Sequence, residues 1–126
     1  MGYYATGSGS ICIATTKTSD IKTLLRSYTS DIKTLLRSYT GVRADVFYQD
    51  NCAVADFIFD NCLNYDDEGV EDLLNEISGR MPVVCGEIRF RGEDDEHWRF
   101  LWHNNTWVKQ FGEIVYPDLQ QTPGTN

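Results

Sequence analysis

Long apolar runs are missing from this chain. No stretch approaches the roughly 20 residues that a membrane-spanning helix needs, and the opening MGYYATGSGS has neither the basic start nor the apolar core of a secretory signal. A cytoplasmic location with no membrane contact is therefore expected. Positive charge is scarce: 11 Lys and Arg stand against 19 Asp and Glu, for a net charge of −8. Sequence-independent nucleic-acid binding relies on basic side chains neutralising phosphates, so no nucleic-acid partner is expected. The acidic balance suits solubility, or contact with a basic protein. Histidine occurs only at His97 and His103. The cysteines Cys12, Cys52, Cys62 and Cys85 form no CxxC pair and fall in or beside apolar strand-like stretches, where a free thiol behaves as a small core residue. No zinc-ligand spacing, GxSxG, HExxH, phosphate loop or GxGxxG is present, so no catalytic residue, metal or cofactor is expected. Gly7–Ser10 precedes a strand, whereas a dinucleotide loop follows one.

What is there is an ordinary globular composition, 41% hydrophobic and 24% charged over 126 residues, enough for a single domain with a two-layer core. Residues 1–117 read as that domain and 118–126 as a polar tail. Ile11 and Ile13 alternate with Cys12 and Ala14 in a first strand over 10–16. A second strand over 42–50 and a third over 53–63 are joined by a turn at 50–52. In the segment 66–82, Val70, Leu73, Leu74 and Ile77 mark one face of a helix. Carboxylates crowd its first turns, Gly79 serves as its stop and Pro82 ends any continuation. The acidic cluster there, and the turn acids Glu93–Glu96, have structural explanations. Strands follow over 86–91 and 97–103, then a turn at Asn104–Asn105 that pairs His103 with Thr106 and sets Trp102 across from Trp107. GEIVY at 112–116 reads as a closing strand. The order is βαββαβ, the ferredoxin-like plan in the α+β class, extended by a C-terminal antiparallel β-meander, with two amphipathic helices on one sheet face.

The first helix is written twice. Ser19–Thr29 recurs without change as Ser30–Thr40. Eleven residues turn an α-helix by about 1100°, three turns plus about 20°, so the copy prolongs the apolar stripe almost without rotating it. Ile21, Leu24, Leu25 and Tyr28 continue as Ile32, Leu35, Leu36 and Tyr39. A continuous helix of about 22 residues is expected, capped by Ser19; the alternative is a break at Thr29–Asp31. One copy suffices to cover the sheet. The stripe of the other, Ile32, Leu35, Leu36 and Tyr39, is then free for a homodimer interface. Identity this complete fits a recent in-frame duplication or an engineered variant without new function.

Aromatic residues concentrate in the last third. Trp98, Phe100 and Trp102 share one strand face and Trp107 faces them across the hairpin. They form either the core under the helices or a binding platform on the open face. Arg89 and Arg99 lie on opposite faces from them, with His97 and Glu96 near, as polar groups for a small-ligand or hydrolytic pocket at the meander.

The opening MGYYATGSGSI and the segment GEIRFRGEDDEHWRFLWHNNTW resemble small ferredoxin-like proteins of unknown function encoded by phages and other mobile elements. The resemblance implies an accessory protein that works without catalysis, through contacts with other proteins.

Overall fold

The computed structural model describes residues 5–15, 20–39, 41–60 and 67–112, with Asp67 and Glu68 described for their backbone alone. The expected closing strand beyond Gly112, the tail, and Cys62 lie outside the described residues. The chain is α+β, with strands β1 (Ala5–Ala14), β2 (Val42–Gln49), β3 (Cys52–Phe59), β4 (Val83–Gly92), β5 (His97–His103) and β6 (Thr106–Gly112), and helices α1 (Ile21–Leu36) and α2 (Asp67–Arg80). All six strands form one antiparallel sheet in the order β2-β3-β1-β4-β5-β6.

Side chains alternate across a strand, so one face of this sheet can be read off the register. Ile11, Ile13, Ala53, Ala55, Phe57, Phe59, Ile88, Phe90, Trp98, Phe100 and Trp107 all point to one side, where they meet Tyr28, Ile32 and Leu35 of α1 and Val70, Leu73, Leu74 and Ile77 of α2. Both helices cover this side: α1 packs on β2 and α2, and α2 reaches β6. The other side of the sheet carries the alternate residues, and no described helix covers it.

Two hairpins each close on a pair of successive residues with positive φ, and the β4–β5 turn contains one more, Asp95 (62°). Asp50 and Asn51 (52° and 65°) join β2 to β3, and Asn104 and Asn105 (51° and 61°) join β5 to β6. Short Asn and Asp side chains tolerate this left-handed region, and two such residues in succession match the strand twist. Asn104–Asn105 thereby pairs His103 with Thr106 and Trp102 with Trp107, as the sequence indicates.

β1 starts earlier than its apolar residues suggest. Gly7–Ser10 lies inside the strand rather than before it. Gly7 and Gly9 face the helices, and a Cβ on Gly9 would collide with the Glu87 carbonyl and lie 2.6 Å from Ile88 Cα. Here glycine allows a close approach of β4, a use of glycine within strands that composition alone hides.

The repeat is one continuous helix across Thr29–Asp31, shorter than expected. It runs for 16 residues, then tightens through Ser38 N–H to Leu35 O (3.3 Å) and Tyr39 N–H to Leu36 O (3.0 Å). Its N-cap is Asp20, whose carboxylate accepts from the Thr23 amide at 3.0 Å and the Thr23 hydroxyl at 2.6 Å. The identical letters in the second copy do other work. Asp31 sits mid-helix, and the Thr34 hydroxyl donates to Ser30 O at 2.9 Å. The residues expected at a dimer interface are reassigned: Ile32 and Leu35 are 1% and 5% exposed in the chain's own core, with Leu36 and Tyr39 packed against it. Neither copy covers the sheet alone, because the core also takes Tyr28 from the first. Its hydroxyl donates to Ala14 O at 3.0 Å. Helix α2 runs one residue past Gly79, so Gly79 is not its stop.

Candidate functional site

The hydrogen-bonded register of β4, β5 and β6 builds the site. Arg89 pairs with Arg99, Arg91 with His97 and Arg99 with Gln110, all on the uncovered face. Two guanidinium groups side by side repel, and Glu87, two residues before Arg89 on the same face, holds them together. One Glu87 oxygen (Oε2) accepts from Arg99 Nη1 at 2.6 Å and from Arg89 Nε at 2.9 Å. Arg99 Nε donates to Gln110 Oε1 at 2.8 Å. Arg91 pairs with Asp95 at 3.1 Å.

The hydrogen bonds from Arg99 and then Arg89 hold the Glu87 carboxyl below its usual 4.5. A carboxylate whose folded pKa is depressed adds stability that is complete above the unfolded value and disappears as pH falls through the folded one. We expect the urea midpoint of the native chain to drop on acidification below about pH 4.5, with Glu87→Gln flattening that slope; equal slopes in both proteins would remove Glu87 from this role.

A pocket of about 680 Å³ opens beside this cluster, lined by Arg89, Arg99, His97 and Gln110 together with the rings of Phe90, Trp98 and Phe111. Phe90 and Trp98 stack, with centroids 5.8 Å apart and planes at 8°. Phe111 is 72% exposed, and the Lys109 ammonium lies 4.7 Å from its ring centre and 5.7 Å from that of Trp98. Among the described residues, His97 Nε2 and Trp98 Nε1 are buried side-chain nitrogens without a hydrogen-bond partner. His97 Nε2 stands 3.4 Å from Asp95 Oδ1 without closing a hydrogen bond. Both residues line this pocket. Buried polar atoms normally find partners; these two reach the pocket from opposite faces of β5, His97 from the uncovered side and Trp98 from the helix side.

The structure thus brings together Arg89, His97, Trp98 and Arg99. Trp102 and Trp107 do not line the pocket: they form an edge-to-face pair 5.1 Å apart. Trp107 is buried and its indole N–H donates to Leu74 O of α2 at 3.0 Å. The tryptophan ladder is accordingly core rather than an open platform. Glu96 is not part of the pocket wall. Gln110 does not stand out in the sequence, although the Asn104–Asn105 turn, counted outward five residues, already places it opposite Arg99.

The cysteines also fall differently from expectation. Cys12 and Cys52 are half-buried and Cys85 is exposed, all on the uncovered face rather than in the core, because their neighbours Ile13, Ala53 and Gly86 take the inward positions. No protein-family model, curated protein or solved structure matches the chain.

Proposed function

We propose that this is a non-enzymatic protein-binding module whose pocket at the β4–β6 end of the sheet receives an acidic segment of a partner protein carrying an aromatic or apolar residue. The observation that carries this is the pairing of two kinds of wall. Arg89 and Arg99, with the unpartnered His97 nitrogen, offer donors to a carboxylate on the uncovered face. Phe111, paired with Trp98 on the helix-bearing side of the same strands, offers exposed ring surface to the same pocket. Exposed aromatics next to arginine are the composition of protein-interface anchors. The strand order β2-β3-β1-β4 supports reading the first βαββαβ elements as a ferredoxin-like unit, with β5 and β6 added to carry the site. The likeness of the opening and meander segments to phage and mobile-element proteins supports an accessory role.

The test is a displayed peptide library selected on the native protein. Peptides with Asp or Glu flanking an aromatic residue should be enriched, and their titration should shift the Trp98 indole N–H resonance and leave that of Trp107 in place. Arg99→Glu and Phe111→Ala should each weaken binding about tenfold or more, or 1.4 kcal/mol per decade. Enrichment without acidic residues, or unchanged affinity in both variants, would refute the assignment. A small anionic ligand is the second reading, favoured by the 680 Å³ volume, which falls within the range of about 300–1,000 Å³ for small-molecule sites. A rise in melting temperature with nucleotides or organic acids, without peptide binding, selects it.

A further inference from the structure

Away from the arginine pocket, Cys12 of β1 and Cys85 of β4 are register partners on adjacent antiparallel strands. Both side chains are on the uncovered face. We propose that Cys12 and Cys85 form an oxidant-responsive dithiol that closes a reversible disulfide across the two central strands. Directly opposed residues in an antiparallel pair have Cα atoms about 4.5–5.5 Å apart, inside the roughly 4.4–6.8 Å that a disulfide spans. Cys85 is close enough to Cys12 to help raise the pKa of the Cys12 thiol. The pairing register also breaks at this point: Cys12 opposes Cys85 but Ile13 opposes Val83. Val84 is thereby left unmatched and 55% exposed. A bulge of this kind bends the strand locally and supplies the play that closing a bridge requires.

The two thiols have different parts. Burial first, then the hydrogen bond and charge of Cys85, push Cys12 up to about 11, so it keeps its proton while Cys85, exposed, meets the oxidant. With a peroxide as oxidant, the Cys85 thiolate attacks one peroxide oxygen, the O–O bond breaks, and Cys85 becomes a sulfenic acid as hydroxide leaves and takes up a proton. The Cys12 sulfur, losing its proton, then attacks the Cys85 sulfur; the S–O bond breaks and water departs. Two thiols lose two electrons, and peroxide gains them to give two waters. Among the described residues Cys52 is the nearest competitor, pairing with Ala14 two positions along β1.

The full chain is treated with graded hydrogen peroxide, its remaining thiols are alkylated, and its peptides are mapped by mass. The expected result is a Cys12–Cys85 cross-link, lacking two hydrogens and lost with dithiothreitol, while Cys52 and Cys62 are alkylated. In Cys12→Ser a sulfenic acid on Cys85 should be captured by dimedone, and in Cys85→Ser Cys12 should stay reduced at the same dose. Overturning results are a Cys85 link to Cys52, Cys62 or a second chain, stepwise oxidation of Cys85 to sulfinic acid without a bridge, or both thiols surviving a dose that oxidises free cysteine. The wild-type map decides the matter even where a variant folds poorly.

Discussion

Gly9→Ala should leave no cooperatively folded protein. A single methyl added there meets the Glu87 carbonyl and the Ile88 backbone of β4, and backbone atoms cannot rotate away as a side-chain tip can. Relief requires β1 and β4 to separate, and these are the two central strands of the sheet. Losses above about 4 kcal/mol are exceptional for single substitutions, and total stabilities run to only about 5–15 kcal/mol, so a change of this size removes most of the margin. Near-ultraviolet circular dichroism, which reports the packed tryptophans, should lose its signal and its sigmoidal melt. Ser8→Ala, next along the strand but on the exposed side, should stay within about 0.5 kcal/mol of the parent. A Gly9→Ala protein that melts like the parent would show that β4 is less closely applied than the structure has it.

The second large effect concerns the repeat. Removing residues 19–29 or 30–40 produces one and the same chain, which must choose which seats to fill. Keeping the first copy in place would vacate the Ile32 and Leu35 positions and leave too little chain to reach Val42, since eleven helical residues advance about 16 Å. The remaining copy is therefore expected to slide into the second seat, with Ile21 and Leu24 replacing Ile32 and Leu35. Five residues, 15–19, can span the gap from Ala14 at roughly 3.3–3.6 Å each. The position of Tyr28 then falls to Lys17, and both its burial and its bond to Ala14 are lost. Truncating a buried aromatic costs about 3–5 kcal/mol, or roughly 10–20 °C in melting temperature for a domain of this size. The single-copy protein should fold and melt lower by that amount, and Tyr28→Ala in the full chain should reproduce most of the fall. A single-copy protein as stable as the parent would show the first copy to be dispensable.

The α+β class, both helices and the two hairpin turns were legible because they rest on local chemistry: the spacing of Val70, Leu73, Leu74 and Ile77, and residues at Asp50–Asn51 and Asn104–Asn105 that accept positive φ. What stayed hidden depends on partners distant in the chain. Gly7 and Gly9 read as residues ahead of the first strand until β4 is laid beside them. The inward parity of Trp98 and Trp107 was open, since alternation divides a strand into two faces without saying which the helices cover. The cysteines looked like core residues because their immediate neighbours are apolar, yet those neighbours occupy the core instead. Of the site, Arg89, Arg99 and His97 were picked out from one strand pair, while Gln110 needed the pairing across the second turn and Glu87 its bonds to both arginines.

Two copies of one peptide in unlike surroundings also alter what a mass spectrum of this protein means. Thr23–Arg26 and Thr34–Arg37 are the same four residues with the same mass, one near the capped start of α1 and the other at its end. In hydrogen exchange, fragments lying within one copy arrive as a single ion with two degrees of protection. The resulting double isotope envelope belongs to a single population of molecules. It is separated by fragments that extend past Thr40 into Gly41 or back to Lys17, where the sequence becomes unique.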